Sequence, residues 1–162
     1  MRRNALVVGA LSLVFAASIA QAQDKPNFAG SWTLVVDPNA AGGGGGGRGG
    51  GLGQAATIAQ DAKTLTITRT TQNGEVKLVY NLDGSESKNS VMGRGGAATE
   101  QTSKAAWDGA KLVISTNLMM GETAVTRTQT FALDASGQLT VTTNGPGRGG
   151  EVTTTTATYK KG

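Results

Sequence analysis

The chain has 162 residues, no cysteine and no histidine, and 15 Lys and Arg against 11 Asp and Glu. Without cysteine or histidine, disulfide bridges, the usual zinc, haem and copper sites and histidine-based triads are excluded. The modest positive excess is no argument for nucleic-acid binding, and stability has to come from secondary structure and core alone.

Arg2 and Arg3 give a positive start, residues 5–19 form an uncharged apolar run, and Ala20-Gln21-Ala22 supplies a small-x-small cleavage pattern. The run is short against the roughly 20 residues a membrane span needs. Residues 1–22 are therefore expected to be a signal peptide, cleaved near Ala22, and the protein to be periplasmic or secreted. Removal takes Arg2 and Arg3 from the 15 basic residues, leaving 13 against 11 acidic ones, a net +2 on 140 residues. That length suits one domain, residues 23–162, able to bury about two-thirds of its unfolded surface.

Beyond this point the chain reads as strands separated by turns. In residues 30–36, Trp32, Leu34 and Val36 share one face. A short strand is expected at residues 57–59. Residues 64–71 alternate Thr with Leu65 and Ile67, and Gln72-Asn73-Gly74 is a hairpin turn. Val76, Leu78, Tyr80 and Leu82 follow at period two up to Asp83-Gly84. Residues 101–107 lead through Asp108-Gly109 to Leu112, Ile114, Thr116 and Leu118. Val125, Phe131 and Leu133 then share a face before Asp134-Ala135-Ser136-Gly137, followed by Leu139 and Val141 and a last strand over residues 152–159. Threonine dominates the opposite faces, as a β-branched residue does where a strand meets water.

The pattern predicts an all-β protein, an up-and-down antiparallel β-barrel of eight or nine strands, with a two-sheet sandwich as the alternative. Connections this short leave no room for crossover helices and so for a parallel sheet. Three glycine-rich loops interrupt the rhythm, at residues 40–53, 92–96 and 145–150. Each carries the unit Gly-Arg-Gly-Gly, around Arg48, Arg94 and Arg148. Such segments cannot build a core. They read either as solvent-exposed drift or as contacts for anionic envelope polymers or lipid head groups.

Asn27-Phe28-Ala29-Gly30-Ser31-Trp32 resembles the opening strand of the calycins, the lipocalin and fatty-acid-binding-protein superfamily, with its aromatic residue followed by Gly-x-Trp. Trp107-Asp108-Gly109 before a strand, and Thr156 to Lys160 with Tyr159, are similar to the last strands of fatty-acid-binding proteins. Small exported bacterial proteins share the Phe-Gly-x-Trp start and the Trp-Asp-Gly hairpin. The resemblance implies a barrel around a cavity for a small apolar or amphipathic ligand. It departs at Ala157, where those proteins carry an inward arginine, and at residues 40–53, which stand in place of their two-helix lid. The resemblance further implies that Trp32, beside Gly30, closes one end of the barrel under a cation from Lys160 or Lys161.

Period two exposes one anomaly. Arg69 lies in phase with Leu65 and Ile67, and Arg127 and Gln129 lie in phase with Val125, Phe131 and Leu133. On a barrel these side chains point inward, where an unpaired charge is costly. Either Arg69 and Arg127, with Tyr159, Tyr80, Gln129 and Trp107, line a ligand site, or they sit at strand ends and reach solvent. Trp107 reads equally as core. Asp37, Asp61, Asp83, Asp108 and Asp134 all fall at strand ends or turns and read as turn caps rather than metal ligands.

The expectation is a non-enzymatic carrier without a cofactor, metal or nucleic-acid partner, binding a small apolar or amphipathic molecule as a monomer. The alternative is a cargo-free envelope interaction protein that uses its Arg/Gly loops or a sheet edge. An interior cavity of at least about 300 Å³ lined by Leu78, Tyr80, Ile114, Val125 and Phe131 would favour the carrier. A core filled by side chains would favour the alternative.

Overall fold

A computed structural model describes residues 25–35, 51–71, 74–92, 97–120, 123–146 and 151–162. The expected signal peptide, Val36 and Asp37, residues 40–50 of the first glycine-rich stretch, Gln72-Asn73 of the expected hairpin turn, and the Arg94 and Arg148 units lie outside the described residues.

Ten strands form one antiparallel sheet: β1 (Gly30–Leu34), β2 (Ala55–Gln60), β3 (Thr64–Thr71), β4 (Gly74–Asn81), β5 (Glu86–Met92), β6 (Ala98–Asp108), β7 (Lys111–Met120), β8 (Thr123–Leu133), β9 (Leu139–Pro146) and β10 (Val152–Lys161). The order is β4-β3-β2-β1-β10-β9-β8-β7-β6-β5. First and last strands pair through Trp32↔Lys161 and Leu34↔Tyr159, and the sheet curls until β4 meets β5. The result is an up-and-down, nearly closed barrel.

The seam between β4 and β5 is fastened by side chains rather than by a backbone ladder. Val79 N–H donates to Asn89 Oδ1 at 2.7 Å, Asn89 Nδ2 donates to the Val79 carbonyl at 3.0 Å, and Asn81 N–H donates to Ser87 Oγ at 2.7 Å. These side chains satisfy edge groups that would otherwise stay unpaired.

Ten strands replace the eight or nine expected from the sequence, and β5 accounts for the difference. Its buried positions are Ser87 and Asn89, so Glu86–Met92 shows no apolar alternation from which to read a strand. The short strand at residues 57–59 is part of a full-length β2. Gly145 and Pro146, expected in a loop, belong to β9, and Met92 belongs to β5.

An up-and-down path places all connections after even-numbered strands at one end of the barrel and all those after odd-numbered strands at the other. At the first end each connection begins with or follows an aspartate. Asp61 accepts from the Lys63 and Thr64 N–H groups, both at 2.7 Å, Asp83 from Ser85 N–H, and Asp134 from Ser136 and Gln138 N–H. These N–H bonds and the neighbouring hydroxyls hold all three carboxyls below their ordinary pKa.

The lumen near this end is packed apolar. Phe28, Leu65, Leu112, Ile114, Phe131, Leu139, Val141 and Tyr159 have no exposed surface. Phe28 crosses beneath the barrel from the segment before β1, stacking on Trp107 at 5.9 Å and tilting against Phe131. Its N–H donates to Gln60 Oε1, and Trp32 Nε1 donates to its carbonyl at 2.8 Å. Trp32 is buried, with Lys161 Nζ 5.7 Å from its ring. A Cβ on Gly30, whose φ is +145°, would run into the Lys161 side chain, so a glycine suits this position twice over.

Candidate functional site

Register shows why the lumen changes character along its axis. On β8 the inward positions climb from Phe131 through Gln129 and Arg127 to Val125, opposite Leu112, Ile114, Thr116 and Leu118 on β7. On β9 they run from Leu139 through Val141 to Thr143, and on β3 from Leu65 through Ile67 to Arg69. The apolar floor therefore gives way to a polar belt towards the end served by the glycine-rich connections.

Within that belt Arg69 stands beside Val76 of β4, and Arg127 beside Thr116. A Cβ on Gly145 would lie 3.2 Å from Arg127 Cγ, so the bare backbone of β9 leaves room for the arginine stem. Thr116 Oγ1 is spent on Ser103 Oγ at 2.9 Å. Gln129 is buried between Ile114 and Thr143.

Each arginine buries its Nε without a hydrogen-bond partner. Among the described residues neither guanidinium has an ion pair; the two bridges found, Lys88–Glu100 and Lys104–Glu86, lie on the exposed outer face of β5 and β6. All eight described acids, Asp61, Glu75, Asp83, Glu86, Glu100, Asp108, Asp134 and Glu151, are exposed. The lumen thus holds two positive charges and no described negative one.

The two arginines and Tyr80 interact across the lumen. Burial lowers the Arg127 pKa, the Tyr80 phenol offsets part of the shift, and repulsion from Arg69 adds to it. Burial also pushes Tyr80 above its ordinary value of 10.0, opposed by Arg127 and Arg69. At neutral pH the Tyr80 phenol is therefore protonated. Tyr159 is raised by burial too, against the Leu52 N–H, the Arg69 charge and the Gly53 N–H.

A short segment enters the lumen beside this cluster. Leu52 N–H donates to the Tyr159 hydroxyl at 2.8 Å and Gly51 N–H to Thr143 Oγ1 at 3.2 Å, with Leu52 buried. Gly51 sits at φ +75°, and a Cβ there would collide with the Tyr159 hydroxyl. Residues 51–53 were expected to be exposed loop. They are instead a packed element whose only apolar marker is Leu52 among glycines.

Of the residues singled out in the sequence, Arg69, Arg127 and Gln129 lie in the belt, while Tyr80 and Tyr159 pair with Leu65 and Leu139 of the floor, within electrostatic reach of Arg69. Trp107 lies at the aspartate end, stacked on Phe28 with Lys25 Nζ 5.5 Å from its ring. A cleft of about 400 Å³ there is lined by Lys25, Asn27, Gln60, Asp61, Ala62, Leu82 and Trp107; Trp107 alone of these was expected to line a ligand site, and none belongs to the set Leu78, Tyr80, Ile114, Val125 and Phe131 expected to surround a cavity. Of those, Ile114 and Phe131 are packed into the floor. Sequence reading passed over Thr143, Ser103 and Asn89; Thr143 alone was reachable, by carrying the β9 alternation two residues past Val141. Among the described residues no group of three or more acids could hold a metal.

The class so defined is an all-β antiparallel barrel, compatible with a calycin-like fold, with a cationic belt in its lumen. No family model matches the chain, and no curated protein matches it significantly.

Proposed function

We propose that the protein is an exported, calycin-like binding protein without enzymatic activity, carrying a small amphipathic molecule whose acidic group seats between Arg69 and Arg127. The observation that carries this reading is the pair of buried, unpartnered Nε groups in a lumen without a described acid. A protein that only needed a packed core would be served better by Leu or Met at these positions, since an unpaired buried charge is destabilising. An anionic ligand supplies the missing partner. Its apolar part would lie towards the barrel mouth, where Val76, Val91, Leu118 and Val125 are only partly buried. The floor below the belt is already filled.

The filled floor favours the second reading, a cargo-free envelope protein, and one experiment separates the two. Arg127→Met should keep a β-type circular dichroism spectrum and lose affinity for acidic amphiphiles in a fluorescent displacement assay, while neutral amphiphiles change little. The expected loss is about 1.5–3 kcal/mol, the worth of a charge-assisted hydrogen bond. A wild-type protein that displaces no probe defeats the carrier reading. Export has its own check: N-terminal sequencing of the protein from the cell envelope should start at Gln23, and intact Met1 would refute it.

A further inference from the structure

The charge count in the lumen narrows the ligand further. Two arginines take inward positions on different walls, Arg69 on β3 and Arg127 on β8, no described carboxylate is buried with them, and both are electrostatically coupled to the Tyr80 phenol. A monoanion would leave one half-buried guanidinium uncompensated and the repulsion between the arginines only partly relieved. A dianion cancels both. Each guanidinium offers a planar fork of N–H donors including its free Nε–H, and the phenol adds an O–H. Two forks and a hydroxyl carried on three strands suit a tetrahedral group with three oxygens sharing two charges better than a planar carboxylate, whose two oxygens one fork already saturates.

We propose that the lumenal site takes a phosphate monoester dianion, held between Arg69 and Arg127 with Tyr80 as a neutral donor. The proposal rests on the reading of the chain as a carrier of anionic small molecules and specifies the anion. The phosphate could belong to a soluble monoester or to the exposed headgroup of a phosphatidic-acid-type lipid; the chemistry recognised is the same.

Titration calorimetry on the purified protein with phenyl phosphate and with benzoate tests the anion, since the two share a ring and differ in charge. Phenyl phosphate should bind at least about tenfold more tightly at pH 7.5, and Arg69→Met and Arg127→Met should each weaken it by about ten- to a hundredfold. Arg127→Lys, which keeps the charge and loses the fork, should fall between wild type and Met, and thermal unfolding confirms that each variant is folded.

The pH profile gives an independent readout. The second phosphate pKa is about 6, so affinity for phenyl phosphate should climb between pH 5 and 7.5 while that for benzoate stays flat. Among the described residues the ionisable groups nearest the site are Arg69 on β3, Tyr80 on β4, Arg127 on β8 and Tyr159 on β10, and burial holds both phenols above their ordinary value of 10.0, outside that window. Sedimentation with vesicles of phosphatidylcholine containing phosphatidic acid assigns the source. Arg127-dependent co-sedimentation marks a lipid headgroup, and phenyl phosphate binding without it marks a soluble ester. Equal affinity for benzoate and phenyl phosphate would overturn the dianion while leaving the carrier intact. Binding of neither compound, nor of any acidic amphiphile, would overturn both.

Discussion

The two ends of this barrel are built by opposite rules. At the aspartate end three connections close on a capping carboxylate, Phe28 and Trp32 fill the opening, and the buried side chains are apolar. At the other end the lumen carries Arg69, Arg127, Gln129 and Thr143, and the Arg94 and Arg148 units connect the strands. One end has its polar groups satisfied and the other leaves two Nε atoms without partners. The difference teaches that stability and recognition are segregated along the barrel axis, so damage at one end should be separable from damage at the other.

The largest expected effect lies at the packed end. Trp32→Ala removes a buried ring and the hydrogen bond to Phe28 and should cost about 3–5 kcal/mol, read as a large drop in the chemical-denaturation midpoint. An unchanged midpoint would mean that the aspartate end does not anchor the fold. Next comes the seam. Asn89→Ala strips both partners from the Val79 amide and should cost about 1–3 kcal/mol, with faster hydrogen exchange at Val79. Protection there equal to wild type would show that the seam closes without Asn89.

At the cationic end the sign should reverse. Arg127→Met without ligand should leave stability unchanged or raised by about 1 kcal/mol, because an unpaired charge is replaced by an apolar chain of similar volume. A loss as large as that of Trp32→Ala would make Arg127 a structural residue and erase the contrast between the ends. The smallest effect is the acid limb. Asp61, Asp83 and Asp134 have lowered pKa values when folded, so their caps stabilise the fold above the ordinary carboxylate range. That contribution is lost as the pH falls through the lowered values. Replacing all three with Ala should flatten the decline in stability below about pH 4. A decline as steep as in wild type would place the acid sensitivity elsewhere.

Much of this was legible because period two is a strong signal wherever one face is apolar. The inward phase of Arg69 followed from Leu65 and Ile67, and that of Arg127 from Val125 and Phe131. Asp83-Gly84 and Asp108-Gly109 placed two of the turns. The reading failed where inward residues are polar for structural reasons: Ser87 and Asn89 face a seam and bond backbone, so β5 left no trace. It failed again at Leu52, since a lone leucine between glycines has no period and its burial depends on Tyr159, far away in sequence. Trp107 packs against the core, as its place before a hairpin suggested, and its height along the axis was not legible. Phase fixes the face of a sheet and says nothing about height along the barrel.

The strand order carries a consequence for how the chain tolerates being cut. Read from one edge, the sheet runs β5 to β10 and then β1 to β4, which is the chain opened at the Asp83-Gly84 turn and rejoined through its ends. The first and last strands are therefore central in the sheet, and the middle of the chain supplies both edges. A protease nick between Asp83 and Gly84 would leave every backbone ladder whole. Trimming β10 from the C-terminus would leave β1 and β9 with one neighbour each and an open edge in the heart of the wall, and a nascent chain cannot complete its ring until the last strand has been made.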